Sequence, residues 1–475
     1  MQYSVVNFNQ LQKGIRIDAD YYLPEFLKTD ELLNNATFSS LNEFCNFCKK
    51  GIFDISPDYY REEGVPLIRT SEIKDPLLNF TSTVYLDEDV HKIHKKTQLT
   101  EGDIVFTKIG AYIGDVAILP PKFPKYNFSQ NVTGLSIKKD RIESGFLLAY
   151  LLSKFGRNQI LRVAMLSGQG KLELEDIRNL KIANVSQSLR GNIHKLVFTA
   201  NQYKENSSLF YLQAEQLLLS ELGLLDWKPK HTLSFVKNFS DTKESNRFDA
   251  EYFQPKYEEI IEAVKKYQNG FDELGNLVKI KKSVEPGSDA YQEKGIPFVR
   301  VSNLSKFELS DNNQQFISEE LYEELKTHQP KKGEILLSKD ATLGMAYYLN
   351  EEPQKMIVSG GILRLKMDSK QILPEYLTLV LNSVIVQKQI ERDAGGSIIN
   401  HWRPDQVKAT LIPILKEDKQ KEIKELIEKS FNDKKLSKSL LEIAKRSVEI
   451  AIEKDEQTAE KFIEWAKKEK LNFWK

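Results

Sequence analysis

The chain has little of what metal, redox or secreted proteins need. It holds two cysteines and six histidines in 475 residues. So few cysteines exclude a disulfide framework and point to a reducing cytoplasm. They stand as Cys45-Asn46-Phe47-Cys48. A structural zinc wants about four ligands, and no second cysteine pair or histidine pair lies near. Core packing is the expectation for both thiols. The histidines are scattered, so no metal or cofactor is expected in this chain. No apolar run reaches the roughly 18–20 residues of a membrane span. Met1-Gln2-Tyr3-Ser4-Val5 does not open like a secretory signal. Net charge is also lacking, with Lys+Arg and Asp+Glu at 68 each. Residues 45–182 carry 20 basic and 17 acidic side chains, and residues 276–415 carry 18 of each. Neither stretch is a strongly basic module, so nucleic acid would have to be met by a local patch or with partner subunits supplying part of the field.

Catalytic motifs are missing as well. No Asn/Asp-Pro-Pro-aromatic loop is present to hold a flipped base; the sole Pro-Pro is Pro120-Pro121. Gly168-Gln169-Gly170-Lys171-Leu172 lacks the spacing and the Ser/Thr of a nucleotide-binding loop. A carboxylate–lysine nuclease set could be imagined at Asp103…Lys108, but its repeat Glu334…Lys339 reads equally well as a strand with alternating polarity. The chain reads as non-catalytic.

What is there is repetition. Arg16-Ile17-Asp18-Ala19-Asp20-Tyr21-Tyr22-Leu23-Pro24 returns as Arg247-Phe248-Asp249-Ala250-Glu251-Tyr252-Phe253-Gln254-Pro255, 231 residues later. At the same offset Gly64-Val65-Pro66-Leu67-Ile68-Arg69 returns as Gly295-Ile296-Pro297-Phe298-Val299-Arg300. Gly102-Asp103-Ile104-Val105-Phe106-Thr107-Lys108 likewise returns as Gly333-Glu334-Ile335-Leu336-Leu337-Ser338-Lys339. Each half has a leading segment ending in Pro and a helix (25–33, 256–267). Short strands punctuated by Gly and Pro follow (65–73 and 103–109 in the first half). Next come one helical stretch (144–165, 374–392), a small Gly loop, a short helix (174–180, 404–408) and a closing apolar segment. This is a mixed α/β domain made twice.

A long polar helix closes each half, at 187–222 and 419–454. In the first, Leu196, Tyr203, Phe210 and Leu217 recur every seven residues, and Ile193, Ala200, Ser207 and Ala214 recur three positions earlier, an a/d seam of large residues facing small ones. In the second, Ile423, Leu426, Ile427, Leu440, Leu441, Ala444 and Val448 keep a less regular stripe. Each stripe could pack on its own domain; long helices polar outside the stripe favour packing on each other.

The order of these motifs, repeated at one spacing, resembles the DNA-specificity subunit of type I restriction–modification enzymes, over essentially the whole chain. The resemblance implies an α/β protein: two similar mixed α/β target-recognition domains separated by two long antiparallel helices, a coiled coil with pseudo-two-fold symmetry. It implies leading segments at 1–40 and 231–271, recognition domains at 41–183 and 272–413, a central helix and linker at 184–230, and a distal helix and tail at 414–475. Implied partners are double-stranded DNA, two adenine-methylating subunits and motor-nuclease subunits, which would use S-adenosylmethionine, ATP and Mg. Each domain would read one half of a gapped site, and host defence in the cytoplasm would be the setting. Residues 193–221 would span about 42 Å at about 1.5 Å per residue, or about 12 base pairs at about 3.4 Å each.

The copies differ in loops, such as Ile109-Gly110-Ala111-Tyr112 against Asp340-Ala341-Thr342-Leu343, and Ser129-Gln130-Asn131 without a close counterpart near Val358-Ser359-Gly360. Unlike loops imply an asymmetric target. Candidate DNA contacts are Lys108 and Lys339 at a strand end, with Arg69, Thr70, Ser71, Arg300, Ser302 and Asn303 after another strand. In the loops they are Tyr112, Gln130, Asn131, Gln169, Lys171, Ser397, Asn400, His401 and Arg403. Arg suits guanine and Asn adenine; an intradomain salt bridge is the competing reading for each Arg, and a solvated strand end for each Lys. Arg16, Asp18, Tyr21 and their copies Arg247, Asp249 and Tyr252 read as scaffold or partner-docking residues near the long helices. Two other classes fit the repeat: a self-sufficient bipartite DNA-binding regulator, and a coiled-coil adaptor whose domains bind protein.

Overall fold

A computed structural model describes residues 4–6, 11, 18–80, 82–110, 112–164, 170–394 and 401–469. It divides into two units, one of residues 1–205 and 433–475 and one of residues 206–432. Each unit holds one α/β body, termed here the first and the second domain.

The first domain has a four-stranded antiparallel sheet in the order Cys45–Lys50, Val132–Ile137, Ile104–Thr107, Val116–Ile118. Beside it a three-stranded sheet runs Val84–Leu86, Val65–Ile68, Asn127–Phe128, its last pair parallel. Phe38–Ser40 pairs with Lys181–Ala183, so the ends of the domain close on each other. The second domain repeats this order strand for strand. Its larger sheet runs Val278–Lys281, Ile362–Met367, Glu334–Ser338, Ala346–Tyr348, and its smaller one Gln315–Ile317, Ile296–Val299, Ile357–Val358.

The central strand shows why the sequence folds this way. Ile104–Thr107 is buried throughout because both faces of the sheet are covered. Alternate side chains face opposite ways. Ile104 and Phe106 enter the core shared with the helices, whereas Val105 joins Leu99, Tyr126 and Phe128 on the other side. In the second domain Ile335 and Leu337 separate from Leu336 in the same manner.

Each helical stretch read as continuous is two helices. Ser144–Leu152 and Lys154–Ala164 are separated by Ser153, and Pro374–Asn382 and Val384–Asp393 by Ser383. Both serines are extended, with ψ 164 and 166. Each hydroxyl donates to the carbonyl three residues back, Ser153 Oγ to Tyr150 at 2.6 Å and Ser383 Oγ to Val380 at 2.7 Å. This local bond competes with the helix ladder and closes the turn.

The long helices, Gln187–Glu221 and Glu417–Glu453, pack together within each unit. In the first unit Ile193, Leu196, Val197 and Ala200 share a core with Leu440, Ile443, Ala444 and Val448, and with the domain's own helices. In the second unit Ser207 meets Ser430 at 3.3 Å and Glu221 meets Lys419 at 3.7 Å, so the helices run antiparallel there. The small line of the heptad seam, Ile193, Ala200, Ser207 and Ala214, is buried throughout, whereas the large line is buried only at Leu196. Tyr203, Phe210 and Leu217 are half-exposed, while Tyr211 and Leu218 are buried. A helix of about 3.6 residues per turn drifts about 20° per heptad away from a 3.5 repeat. The buried stripe therefore drifts beyond the seam to take in Tyr211 and Leu218. Among the described residues, no helix is long and apolar enough to cross a membrane.

Cys45 and Cys48 are buried in the first core. Burial pushes the Cys45 thiol up to about 12 and the Cys48 thiol to about 11, which leaves them protonated packing groups. Asp103 is likewise structural: it accepts from the backbone N–H of Thr100 and Ile137 at 2.8 and 2.9 Å. It starts the strand that Lys108 follows, so the two side chains form no catalytic pair.

Candidate nucleic-acid interface

At one end of the first domain five chain segments meet. Lys108, just past the central strand, donates its N–H to Asn131 O at 2.9 Å, and its own carbonyl accepts from Leu172 N at 3.1 Å. Ile109 bridges Lys171, beyond the Gly loop. Ser129 donates to Ile68 O at 2.9 Å, next to Arg69, and is bridged by Ile52. The approach of Ile52 depends on Gly51, where a Cβ would lie 2.2 Å from Ser129 O. The second domain builds the same junction. Lys339 donates to Gly361 O and accepts from Trp402 N, both at 2.9 Å, Asp340 bridges His401, and Ser359 donates to Val299 O at 2.8 Å. Ser129 therefore does have a backbone counterpart in Ser359. The divergence begins one residue later, with Gln130-Asn131 against Gly360-Gly361.

This junction gathers Arg69, Thr70, Ser71, Lys108, Gln130, Asn131 and Lys171 in the first domain. In the second it gathers Arg300, Ser302, Lys339 and His401, with Arg403 two residues on. Arg16, Gln169, Ser397 and Asn400 lie outside the described residues. The two arginines serve their own domains. Arg69 Nη2 lies 2.9 Å from the fully buried Glu72 carboxylate and donates to Ser82 O. Ser71 Oγ also reaches Glu72, at 2.9 Å. Arg300 donates to Asn313 O at 2.7 Å. Asn303 is corrected outright as a base reader. It is fully buried, its carbonyl oxygen accepts from Arg300 N, and its amide donates to Ser310 O and Asn312 O. Asn131 is exposed and Gln130 half-exposed. Tyr112 is 40% exposed, with Lys74 Nζ 4.6 Å from its ring centroid.

The electrostatics of the two junctions differ. Lys108 is only 5% exposed, and burial lowers its pKa, with the charges of Lys50 and Lys171 adding to the effect. Lys339 instead lies 2.6 Å from Asp340, whose other oxygen is 2.6 Å from His401 Nδ1. Burial acts to raise the Asp340 carboxyl, but these hydrogen bonds outweigh it and hold the group below its ordinary value.

A family model for the type I restriction modification DNA specificity domain matches residues 34–186 and 270–445, one segment in each repeat. The chain belongs to this family. Solved structures similar to it include the S subunit of the type I restriction-modification system from M. genitalium, at 13% identity over 90% of this chain and 96% of that one, TM-score 0.38. Another is the HsdS subunit from Thermoanaerobacter tengcongensis, at 14% identity over 88% and 97%, TM-score 0.29. Part of the type IIG restriction endonuclease BpuSI is also similar, at 15% identity over 38% of this chain and 28% of that one, TM-score 0.29. No curated protein matches.

In this specificity-domain chain several junction residues carried no motif. Phe53 follows the Ile52 bridge and is 83% exposed. Lys50 ends its strand, and Lys281-Lys282 ends the matching strand of the second domain, a recurrence that could have marked it. The leading-segment motifs sit on the domain helices rather than on the long ones. Arg162 covers the Tyr21 ring at 3.9 Å and donates to Tyr21 O. Tyr252 lies between Arg247 at 4.8 Å and Arg392 at 5.2 Å, and Arg247 grips Asp249 through two bonds of 2.5 and 2.9 Å. Asp18 accepts from Tyr21 N through its backbone carbonyl. Planar guanidinium on an aromatic face fixes these segments by stacking as well as charge.

Proposed function

We propose that this chain is the non-catalytic sequence-specificity subunit of a type I restriction–modification complex. It recognises a bipartite, gapped and asymmetric double-stranded DNA site through domains 41–183 and 272–413. It directs adenine methylation by two modification subunits, and cleavage where motor-nuclease subunits join. S-adenosylmethionine, ATP and Mg belong to those partners, and the cytoplasm is the place of action. The observation that carries this reading is the five-segment junction. One backbone scaffold occurs twice, and the side chains it presents differ between copies: Gln130, Asn131 and Lys171 against Gly360, Gly361 and His401. A shared frame with unlike polar side chains suits two unlike half-sites. The long helices set the gap, at about 12 base pairs for about 42 Å of helix. Tyr252 and its arginines belong to the surface on which a modification subunit docks.

The test is methylation by the cognate modification subunit with and without this chain. Sequence-specific methylation only in its presence is expected. Specific methylation in its absence contradicts the reading. Tight specific binding by the chain alone would favour a self-sufficient regulator instead.

A further inference from the structure

We propose that Lys50, Lys108 and Lys171 form a DNA-phosphate site in the first domain that the second domain does not reproduce, so the two half-sites are gripped unequally. The inference rests on the DNA-recognition reading above. Lys50 pairs with Thr133, and Thr133 with Phe106, across three neighbouring strands. Side chains alternate along a strand, so Lys50 and Lys108 fall on the same face at the same end of the sheet. The bridge between Ile109 and Lys171 brings the third ammonium beside them. Among the described residues the one carboxylate close by is Glu173, which is held by Lys171 at 2.5 Å. The undescribed segment 165–169 contains no acidic residue. Lys108 is thus a buried cation whose charged neighbours are mostly cations. Such an arrangement is unfavourable in the free protein and is relieved by a bound anion. Gly110 adjoins the site, with φ +115 and nothing within 4 Å of where a Cβ would stand, so a phosphate can approach the backbone as well.

The second domain keeps a lysine at two of the three positions and neutralises the central one. Strand register puts Lys282 in the place of Lys50, since Val284 bridges Ser359 as Ile52 bridges Ser129, while Lys281 faces the other side of the sheet, 3.6 Å from Glu334. Lys339, at the position of Lys108, is paired with Asp340, which stands where the first domain has Ile109. Lys171 is replaced by His401, also on Asp340. The same backbone therefore presents three lysines with one carboxylate, Glu173, in one copy, and a lysine and a histidine on Asp340 in the other.

The test measures binding of the full chain, with its modification subunits, to a duplex carrying the host's methylated site, as a function of salt. Each phosphate contact contributes about 0.9 to the slope of log K against log salt. Lys50→Gln, an exposed position that folding tolerates, should lower the slope by about 0.9, and Lys50→Gln with Lys171→Gln by about 1.8. Lys282→Gln, at the place of Lys50 beside the Asp340 cluster, should leave it unchanged. Lys108→Met should raise the melting temperature of the free chain while weakening binding. An unchanged slope in the first two variants, with the site still bound specifically, overturns the phosphate site and leaves the DNA reading intact. Absence of salt-dependent binding by the wild-type complex to any duplex overturns both. Titration with inorganic phosphate at fixed ionic strength forms the second arm. Phosphate binding lost in Lys50→Gln without a change in DNA slope would make this a free-anion site and overturn the assignment to DNA.

Discussion

The two domains fasten to the long helices by different chemistry. In the first unit Asp75 of the domain meets Lys204 of one helix at 2.8 Å and Lys434 of the other at 3.6 Å. Burial pushes the Lys204 ammonium down to about 8, with Lys434 adding to the effect and Asp75 opposing it. In the second unit the corresponding place is aromatic. Phe307 of the domain lies 5.0 Å from Tyr211 and 5.7 Å from Phe431, ring centre to ring centre, and Tyr347 stacks on Phe431. Lys306, at the repeat position of Asp75, covers the Tyr211 ring at 4.1 Å. Backbone order is retained while the fastening changes from an ion cluster to an aromatic one. The DNA-side junctions differ too, but in the opposite sense: Lys108 lies among lysines in the first domain, whereas Lys339 is paired with Asp340 in the second.

The largest effect is expected at these fastenings. Asp75→Ala leaves two lysines facing each other without the carboxylate that lies against both. It should destabilise the first unit by about 3 kcal/mol, the lower end for a broken buried pair, because the carboxylate is 32% exposed. Phe307→Ala should cost the second unit about 2 kcal/mol, below a full core deletion because the ring is half-buried. Denaturant melts at low and high salt separate the two, since only the Asp75 variant should show a salt-dependent loss. Equal salt dependence would erase the distinction.

A smaller effect is expected from Phe53→Ser. The ring is 83% exposed, so stability should stay within about 0.5 kcal/mol. Methylation of the half-site read by the first domain should fall on the order of tenfold, the worth of one base contact. Unchanged methylation would remove Phe53 from the interface. Smaller still is the pH effect of Lys108. Its folded-state pKa lies below the ordinary 10.5, so the charged form costs the free protein stability. That cost is relieved as pH rises from the folded value towards the unfolded one. Phosphate pairing needs the charge, so DNA affinity should fall over the same window. Lys108→Gln should flatten both trends, and a wild-type affinity that stays constant as pH rises towards the ordinary lysine value would contradict this role.

Much of the frame was legible in the sequence because it is written twice. The strand motifs at Val65 and Ile104, with their copies, locate both sheets, and the apolar stripes locate the long helices. What escaped depends on packing that one repeat does not reveal. Ser153 and Ser383 look like ordinary helix residues until their hydroxyls are seen on the carbonyls three residues back. Phe210 and Leu217 satisfy a heptad, but the helix turns Tyr211 and Leu218 inward instead. Asn303 has the chemistry of an adenine reader and spends it on its own loop. Lys50 was passed over because a strand-end lysine is ordinary until a second, buried lysine is placed beside it.

The most direct measurement replaces residues 41–183 with the corresponding domain of another family member and reads the methylated site by methylome sequencing. One half of the site should change, while the other half and the gap stay as they were. A site unchanged in both halves, or changed in both, would contradict the assignment of one half-site to each domain.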